Sequence, residues 1–306
     1  MQEYQLATKS LCKKYNHNIV LHPTNISIKK GEIYGLVGKN GAGKTTLIRL
    51  LTGHILPTSG AIELFGENTP KGLYRGRRRI GALVETPSFF PYLSAKQNLE
   101  YYRLQMGIVE KNNIDKILDN IDLDTSDKKF KNFSLGMKQK LGIALALINN
   151  PDILILDEPI NGLDPIGIVK IRHLLKKLNE ENNLTILISS HILSELDNLA
   201  TRYGFIDDGK IIKEISSKEL HNKCKKSLEI VVDNCEKTAA ILETKLNLYN
   251  YEILPNNKII IQEFLDDPRK ISKIIVDNNI GLYSININIL TLEKYFINLI
   301  GGKKNV

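Results

Sequence analysis

The segment Gly38-Lys39-Asn40-Gly41-Ala42-Gly43-Lys44-Thr45 lies between the apolar run 33–37 and a stretch of helical periodicity that starts at Lys44. A glycine-rich turn between a strand and a helix, closed by Lys-Thr, is a strong constraint on fold. Its glycines let backbone N–H groups turn inward, and the helix start adds a dipole that favours anions. Strand before and helix after is the context a phosphate-binding loop requires. In that reading Gly38, Asn40, Gly41, Ala42 and Gly43 line the cradle and Thr46 follows in the first helical turn. Lys44 bridges the outer phosphates as a point charge, and the Thr45 hydroxyl is a ligand for Mg2+.

The surrounding composition sets limits. The chain has 306 residues, 42% apolar and 25% charged, which is ordinary for one large or two unequal globular domains. Its three cysteines, Cys12, Cys224 and Cys235, show no paired or metal-type spacing and point to a reducing, cytosolic compartment. Nothing approaches the roughly 18 apolar residues needed to cross a bilayer, and the start lacks the basic-then-apolar order of a signal peptide. Work at a membrane therefore requires another polypeptide. The net charge of +8 is densest at Arg75, Arg77, Arg78 and Arg79. That cluster reads either as a solvated face or as a contact for lipid headgroups or a partner's acidic surface.

Residues 1 to about 215 alternate β-branched runs with helix-period segments, the pattern of an α/β domain with a central sheet. Strands are expected at 5–11, 25–28, 33–37, 61–64, 80–84, 153–156, 184–188 and 204–206. Helices are expected at 44–52, 95–106, 114–120, 135–149, 166–181 and 193–200. The stretch 87–150 contains helices and no convincing strand, so it reads as a helical insertion. The domain expected over 1–221 is followed by a small α+β domain over 222–306. There, strands (228–232, 249–254, 258–262, 283–289) alternate with helices (235–246, 267–278, 292–300) and no chemical motif is visible. Stabilising a dimer, regulating hydrolysis and docking a partner all remain open for it.

A buried strand at 153–156 ends in Asp157-Glu158. Beside a phosphate loop, such a pair can bring Asp157 to the metal and Glu158 to an attacking water. At this point the sequence resembles the ATPase family of ABC transporters, over about residues 5–215. Phe133-Ser134-Leu135-Gly136-Met137 resembles the family's Leu-Ser-Gly-Gly-Gln signature. It keeps Ser134 and Gly136 and departs at Leu135 and Met137. Asn161-Gly162-Leu163-Asp164 resembles the loop that links two ATPases, with Asp164 at the nucleotide. His191 resembles the switch histidine that contacts the γ-phosphate, and Tyr15 the aromatic that stacks on adenine. The resemblance implies an α/β P-loop NTPase of ABC type with ATP and Mg2+ as cofactors, Glu158 and His191 being catalytic.

In this family the signature of one subunit closes over the phosphate loop of another. This chain has one of each, so the resemblance implies a dimer of ATPase subunits, expected to be a homodimer. It also implies separate membrane-spanning permease subunits, which the peptide substrate contacts in place of this chain. The protein is then cytoplasmic and peripheral on the inner face of the membrane. No nucleic acid is implied. A soluble two-cassette relative acting on ribosomes would need a second phosphate loop. A chromosome-maintenance ATPase would need a long coiled coil between Lys44 and Ser134. A kinase or GTPase would not carry the signature, Asp157-Glu158 and His191 together.

Where most relatives have glutamine after the strand at 80–84, this chain has Glu85, expected near the metal. Together with Ser134-Leu135-Gly136-Met137-Lys138-Gln139, this resembles the subfamily associated with bacitracin resistance and lantibiotic immunity; export of another small molecule or drug is the alternative. Glutamate adds negative charge beside a hard cation. Glu85→Gln is therefore expected to keep ATP binding and much of the activity, whereas Glu85→Ala impairs coupling to transport. Unchanged peptide protection in cells carrying Glu85→Ala would remove the assigned role.

Overall fold

The computed structural model describes residues 4–84, 88–109, 113–123, 128–224, 226–263, 267–289 and 291–301. The chain divides into two compact units, Met1–Ser217 and Lys218–Val306.

The first unit carries two sheets. One is built on β1 (Tyr4–Tyr15), which pairs antiparallel with β2 (Asn18–Thr24), β3 (Ser27–Lys29) and, across its other stretch, β5 (Ser59–Leu64). The other contains β4 (Ile33–Val37), β6 (Ile80–Leu83), β7 (Ile153–Leu156), β8 (Thr185–Ser190), β9 (Arg202–Asp207) and β10 (Lys210–Ser216), in the order β10-β9-β4-β8-β7-β6. All its pairings are parallel except that of β10 with β9. Every residue of β4, β7 and β8 is buried. That explains their continuous apolar character, because a parallel strand is covered on both faces.

Helix α1 (Lys44–Thr52) buries Leu47, Ile48, Leu50 and Leu51 in one core with Leu6, Ile28 and Ile62 of the antiparallel sheet and Leu36, Ile155 and Leu187 of the parallel one. The helix that opens from the glycine loop is thus clamped between two sheets. Tyr34 is buried in β4, and its hydroxyl donates to Glu214 of β10 at 2.8 Å. Burial and the Glu214 carboxylate push that phenol well above its ordinary pKa, so it stays neutral and keeps its proton for the bond.

Between β6 and β7 the described residues form helices and no strand: α3 (Ala95–Gln105), α4 (Asn113–Asn120) and α5 (Leu135–Leu147). A ring cluster, Phe89 with Tyr102 and Phe130, and Phe130 with Phe133, ties this insertion together. Ser94 and Gln97 form a capping box at the start of α3. Asn98 is fully buried; it accepts from the Phe90 N–H and donates to the carbonyls of Phe90, Leu93 and Ser94.

Four local expectations change. β2 contains Pro23, which weakens a strand signal, but β2 lies at a sheet edge where proline is tolerated. β10 and the helix α2 (Pro70–Arg77) were not expected from pattern. The helix expected over 193–200 is only a 3₁₀ turn, Leu193–Glu195. Asn198 takes a left-handed φ of 61° with its N–H on the Asp197 side chain, and a helix cannot run through that turn. The arginine cluster is partly structural: Arg79 binds Asp152 at 2.7 Å and stacks on Phe65, and Arg77 reaches the Leu51 carbonyl.

The second unit starts in α7 (Ser217–Lys223) and runs β11 (Lys226–Val232), α8 (Cys235–Leu246), β12 (Tyr251–Leu254), β13 (Lys258–Ile261), α9 (Pro268–Asp277), β14 (Leu282–Ile289) and α10 (Leu292–Gly301). Its sheet is antiparallel in the order β12-β13-β11-β14. A β-α-β-β-α-β run with this order is the split, ferredoxin-like arrangement. Leu228, Ile230 and Val232 alternate along β11 and share a core with Ile259, Ile261, Leu242, Ile271 and Ile275, so α8 and α9 cover one face.

Asn98→Ala leaves several backbone groups of the insertion without a partner and is expected to cost about 2–3 kcal/mol. Calorimetry should show a lower unfolding midpoint, with ATP binding retained.

Candidate functional site

Three neighbouring parallel strands deliver the site. β4, β8 and β7 lie side by side with Val37 opposite Ser190 and Leu156 opposite Ile188. The glycine loop leaves the carboxyl end of β4, Asp157-Glu158 that of β7 and His191 that of β8. Open α/β sheets bind ligands at these ends.

The loop is held in shape by close backbone approaches. Gly43 has φ 104° and Gly41 φ 81°, values that L side chains rarely adopt. A Cβ on Gly43 would sit 3.2 Å from the Val20 carbonyl, and one on Gly38 only 2.4 Å from the Ile206 carbonyl. The Gly38 N–H donates to the Ser190 carbonyl, and the Gly209 N–H donates to that of Ala42. Helix α1 begins at Lys44 with no side-chain cap and no acidic residue in its first turn, so its free N–H groups and positive dipole end serve the loop. Lys44 is 5% exposed and donates to the carbonyls of Gly38 at 2.6 Å and Lys39 at 3.1 Å.

The acidic pair meets this loop. Asp157 Oδ2 accepts the Thr45 hydroxyl at 2.7 Å, and Asp157 Oδ1 accepts the Ser189 hydroxyl at 2.6 Å. Ser189 in turn accepts the Glu158 N–H at 2.9 Å. Glu158 has a left-handed φ of 50°. Its Oε2 lies 2.7 Å from His191 Nδ1, and its Oε1 lies 3.1 Å from Lys44 Nζ. Among the described residues no hydrogen-bond donor reaches the buried Oε1, so the charge of Lys44 is what compensates it. Ser190 points the other way from Ser189: its hydroxyl binds Glu195 at 2.5 Å and accepts the Ile192 N–H.

The structure therefore brings together Lys44, Thr45, Asp157, Glu158 and His191. Thr46, partly buried, follows in α1, and Asn40 and Gly41 are exposed on the loop while Ala42 is buried. Tyr15 is half-exposed at the end of β1, opposite Asn18, with Lys13 Nζ 4.7 Å from its ring centre. The same hairpin carries Val20 to Gly43. Glu85 lies outside the described residues.

Ser134, Gly136 and Asp164 stand apart. Ser134 caps α5, accepting the Met137 N–H, and Asp164 caps α6 (Pro165–Asn182), accepting that of Gly167. Together with Gly162, Lys128 and Lys170 they line a cleft of about 550 Å³ whose walls include none of Lys44, Thr45, Asp157, Glu158 or His191. One chain thus carries two separate halves of the predicted constellation. Ser189 was missed in the sequence, where a serine inside an apolar strand gives no signal of its own.

The donor set fits magnesium. Thr45 and Asp157 offer hard oxygens, and among the described residues no cluster of three His, Cys, Asp or Glu could cage an ion. Mg2+ keeps water and phosphate oxygens in its shell and uses few protein ligands.

A glycine loop at a buried helix start, faced by a strand-end acidic pair and a histidine, defines a P-loop ATPase. The chain belongs to the ABC transporter family, as an ATP-binding subunit. The family model described as ABC transporter matches residues 21–161. The bacitracin transport ATP-binding protein BcrA of Bacillus licheniformis is 44% identical over 298 residues, 97% of either chain. The lantibiotic transport ATP-binding protein SrtF of Streptococcus pyogenes is 45% identical over 210 residues, 68% of this chain and 90% of its own. Among solved structures, the dimeric ATP-binding cassette MJ0796 bound to ADP and Pi aligns at 27% identity and TM-score 0.62, covering 69% of this chain and 98% of that one. The fold is accordingly the α/β P-loop fold of ABC type, and the activity is ATP hydrolysis coupled to transport.

Proposed function

We propose that this chain drives export of an antimicrobial peptide of the bacitracin or lantibiotic type, working as a homodimer on separate permease subunits. The observation that carries the dimer is the division of the constellation: Lys44, Thr45, Asp157, Glu158 and His191 meet at one place, and Ser134, Gly136 and Asp164 face a different cleft. Two copies facing each other complete two sites. The dimeric cassette among the structural relatives supports that arrangement. Among the described residues no helix is long and apolar enough to cross a membrane, which agrees with a peripheral subunit at the inner face of the membrane, held there by the permease.

In each site Lys44 and the loop N–H groups hold the phosphates of ATP, and Tyr15 stacks on the adenine. Thr45 and Asp157, with Glu85, would hold Mg2+, which would supply charge stabilisation of the phosphoryl oxygens. Glu158 accepts a proton from the attacking water, and His191 orients Glu158 through the 2.7 Å contact and senses the γ-phosphate. Ser134 and Gly136 offer a hydroxyl and a helix-start N–H to the nucleotide on the facing subunit, with Asp164 beside them.

Similarity to BcrA runs through almost the whole chain, second unit included, which favours a bacitracin-type substrate. The peptide itself contacts the permease.

Glu158→Gln is expected to bind ATP and accumulate as a closed dimer, seen by size-exclusion chromatography in ATP; turnover at the normal rate would contradict the base assignment. Deleting the gene should sensitise cells to bacitracin or lantibiotics. If deletion from a parent strain that expresses the ATPase leaves sensitivity to both unchanged, the peptide assignment is wrong.

A further inference from the structure

Ser189 has no packing reason to be a serine. It follows Ile186, Leu187 and Ile188 on a strand buried along its whole length and is itself 0% exposed. A hydroxyl placed there is costly unless its bonding is satisfied. It is satisfied by the two residues at the end of the neighbouring strand: the hydroxyl proton goes to Asp157 Oδ1 at 2.6 Å, and the oxygen receives the Glu158 N–H at 2.9 Å.

We propose that Ser189 is a positioning residue for hydrolysis, whose hydroxyl fixes the Asp157 carboxylate and the left-handed backbone of Glu158 as one unit. The inference rests on the proposed role of Glu158 as base. A non-glycine residue at φ 50° is held against a steric cost of about 1–2 kcal/mol. Relaxing that turn would swing the Glu158 side chain away from His191 and Lys44, which lie 2.7 and 3.1 Å from its two oxygens. The bond to Ser189 opposes the relaxation, because a freed N–H in this part-buried setting would lack an acceptor.

On Asp157 the effect is orientational. With Oδ1 held by Ser189 and Oδ2 by Thr45, the plane of the carboxylate is fixed at both ends. A continuous chain of bonds therefore runs from Glu158 through Ser189 and Asp157 to Thr45, joining the end of β7, the end of β8 and the start of α1. Ser190 does not share this work, since its hydroxyl turns to Glu195 and the Ile192 N–H.

The test uses the full chain with Ser189→Ala, Ser189→Thr and Glu158→Gln, reading kcat and KM for ATP, nucleotide binding by calorimetry, and dimer accumulation in ATP. Ser189→Ala should lose about ten- to a hundredfold in kcat with KM changed by about twofold or less, the signature of misplacement at bound substrate. Like Glu158→Gln it should accumulate an ATP-held dimer, which a merely structural lesion would not do. Ser189→Thr, which keeps the hydroxyl, should recover most of the rate. Ser189→Cys leaves no cavity while weakening the donor, and it replaces the alanine variant if that proves insoluble. A kcat within about twofold of the parent, or parallel loss of binding and rate with no dimer, overturns the role of Ser189. Normal turnover by Glu158→Gln would instead sink the base assignment, independently of what Ser189 does.

Discussion

The pairing of β4 with β8, and of β8 with β7, is the constraint on which the site depends. Parallel strands place their carboxyl ends at one edge, and their register puts Val37 beside Ser190 and Leu156 beside Ile188. The residues just beyond those ends are the loop, the acidic pair and the histidine. Shifting one strand by a residue would turn Ser189 away from Asp157, because side chains alternate across a sheet. The burial of all three strands makes that slip expensive, since every residue in them contributes to the core.

Charge balance is the second element. Lys44 is nearly inaccessible, and two of its three donors are committed to carbonyls of its own loop. Its remaining charge faces Glu158 Oε1, which has no hydrogen-bond donor among the described residues. A buried pair of this kind contributes little net stability while intact and leaves an uncompensated charge when one partner is removed. Its value lies in placement: the cation proposed to grip phosphate and the carboxylate proposed to activate water are held within 3.1 Å of one another.

The second unit has its own sheet, two helices covering one face of it and a separate apolar core. It holds none of the residues assigned to ATP. SrtF aligns over 90% of its own length to only 68% of this chain, whereas BcrA aligns over 97%. The alignment with BcrA therefore takes in this unit, and a chain as short as SrtF has no room for all of it.

The sequence by itself determined the glycine loop with its strand and helix, the apolar strand ending in Asp157-Glu158, the serine at Ser134 ahead of a helix, and the alternation of elements in the second unit. These are local: glycine at positive φ, a cap three residues before its partner and a run of β-branched side chains all act within a few positions. Tertiary structure alone decided the rest. Tyr34 meets Glu214, Thr45 meets Asp157, and Val20 presses on Gly43, all between residues remote in sequence or brought together by a hairpin. The stretch 193–200 has helical composition but is claimed by Ser190, Asp197 and the Asn198 turn. Ser189 reads in sequence as one more residue of a buried strand. Its purpose appears only when β7 lies beside it, because a hydroxyl acquires a role from the groups that the fold brings within hydrogen-bonding distance.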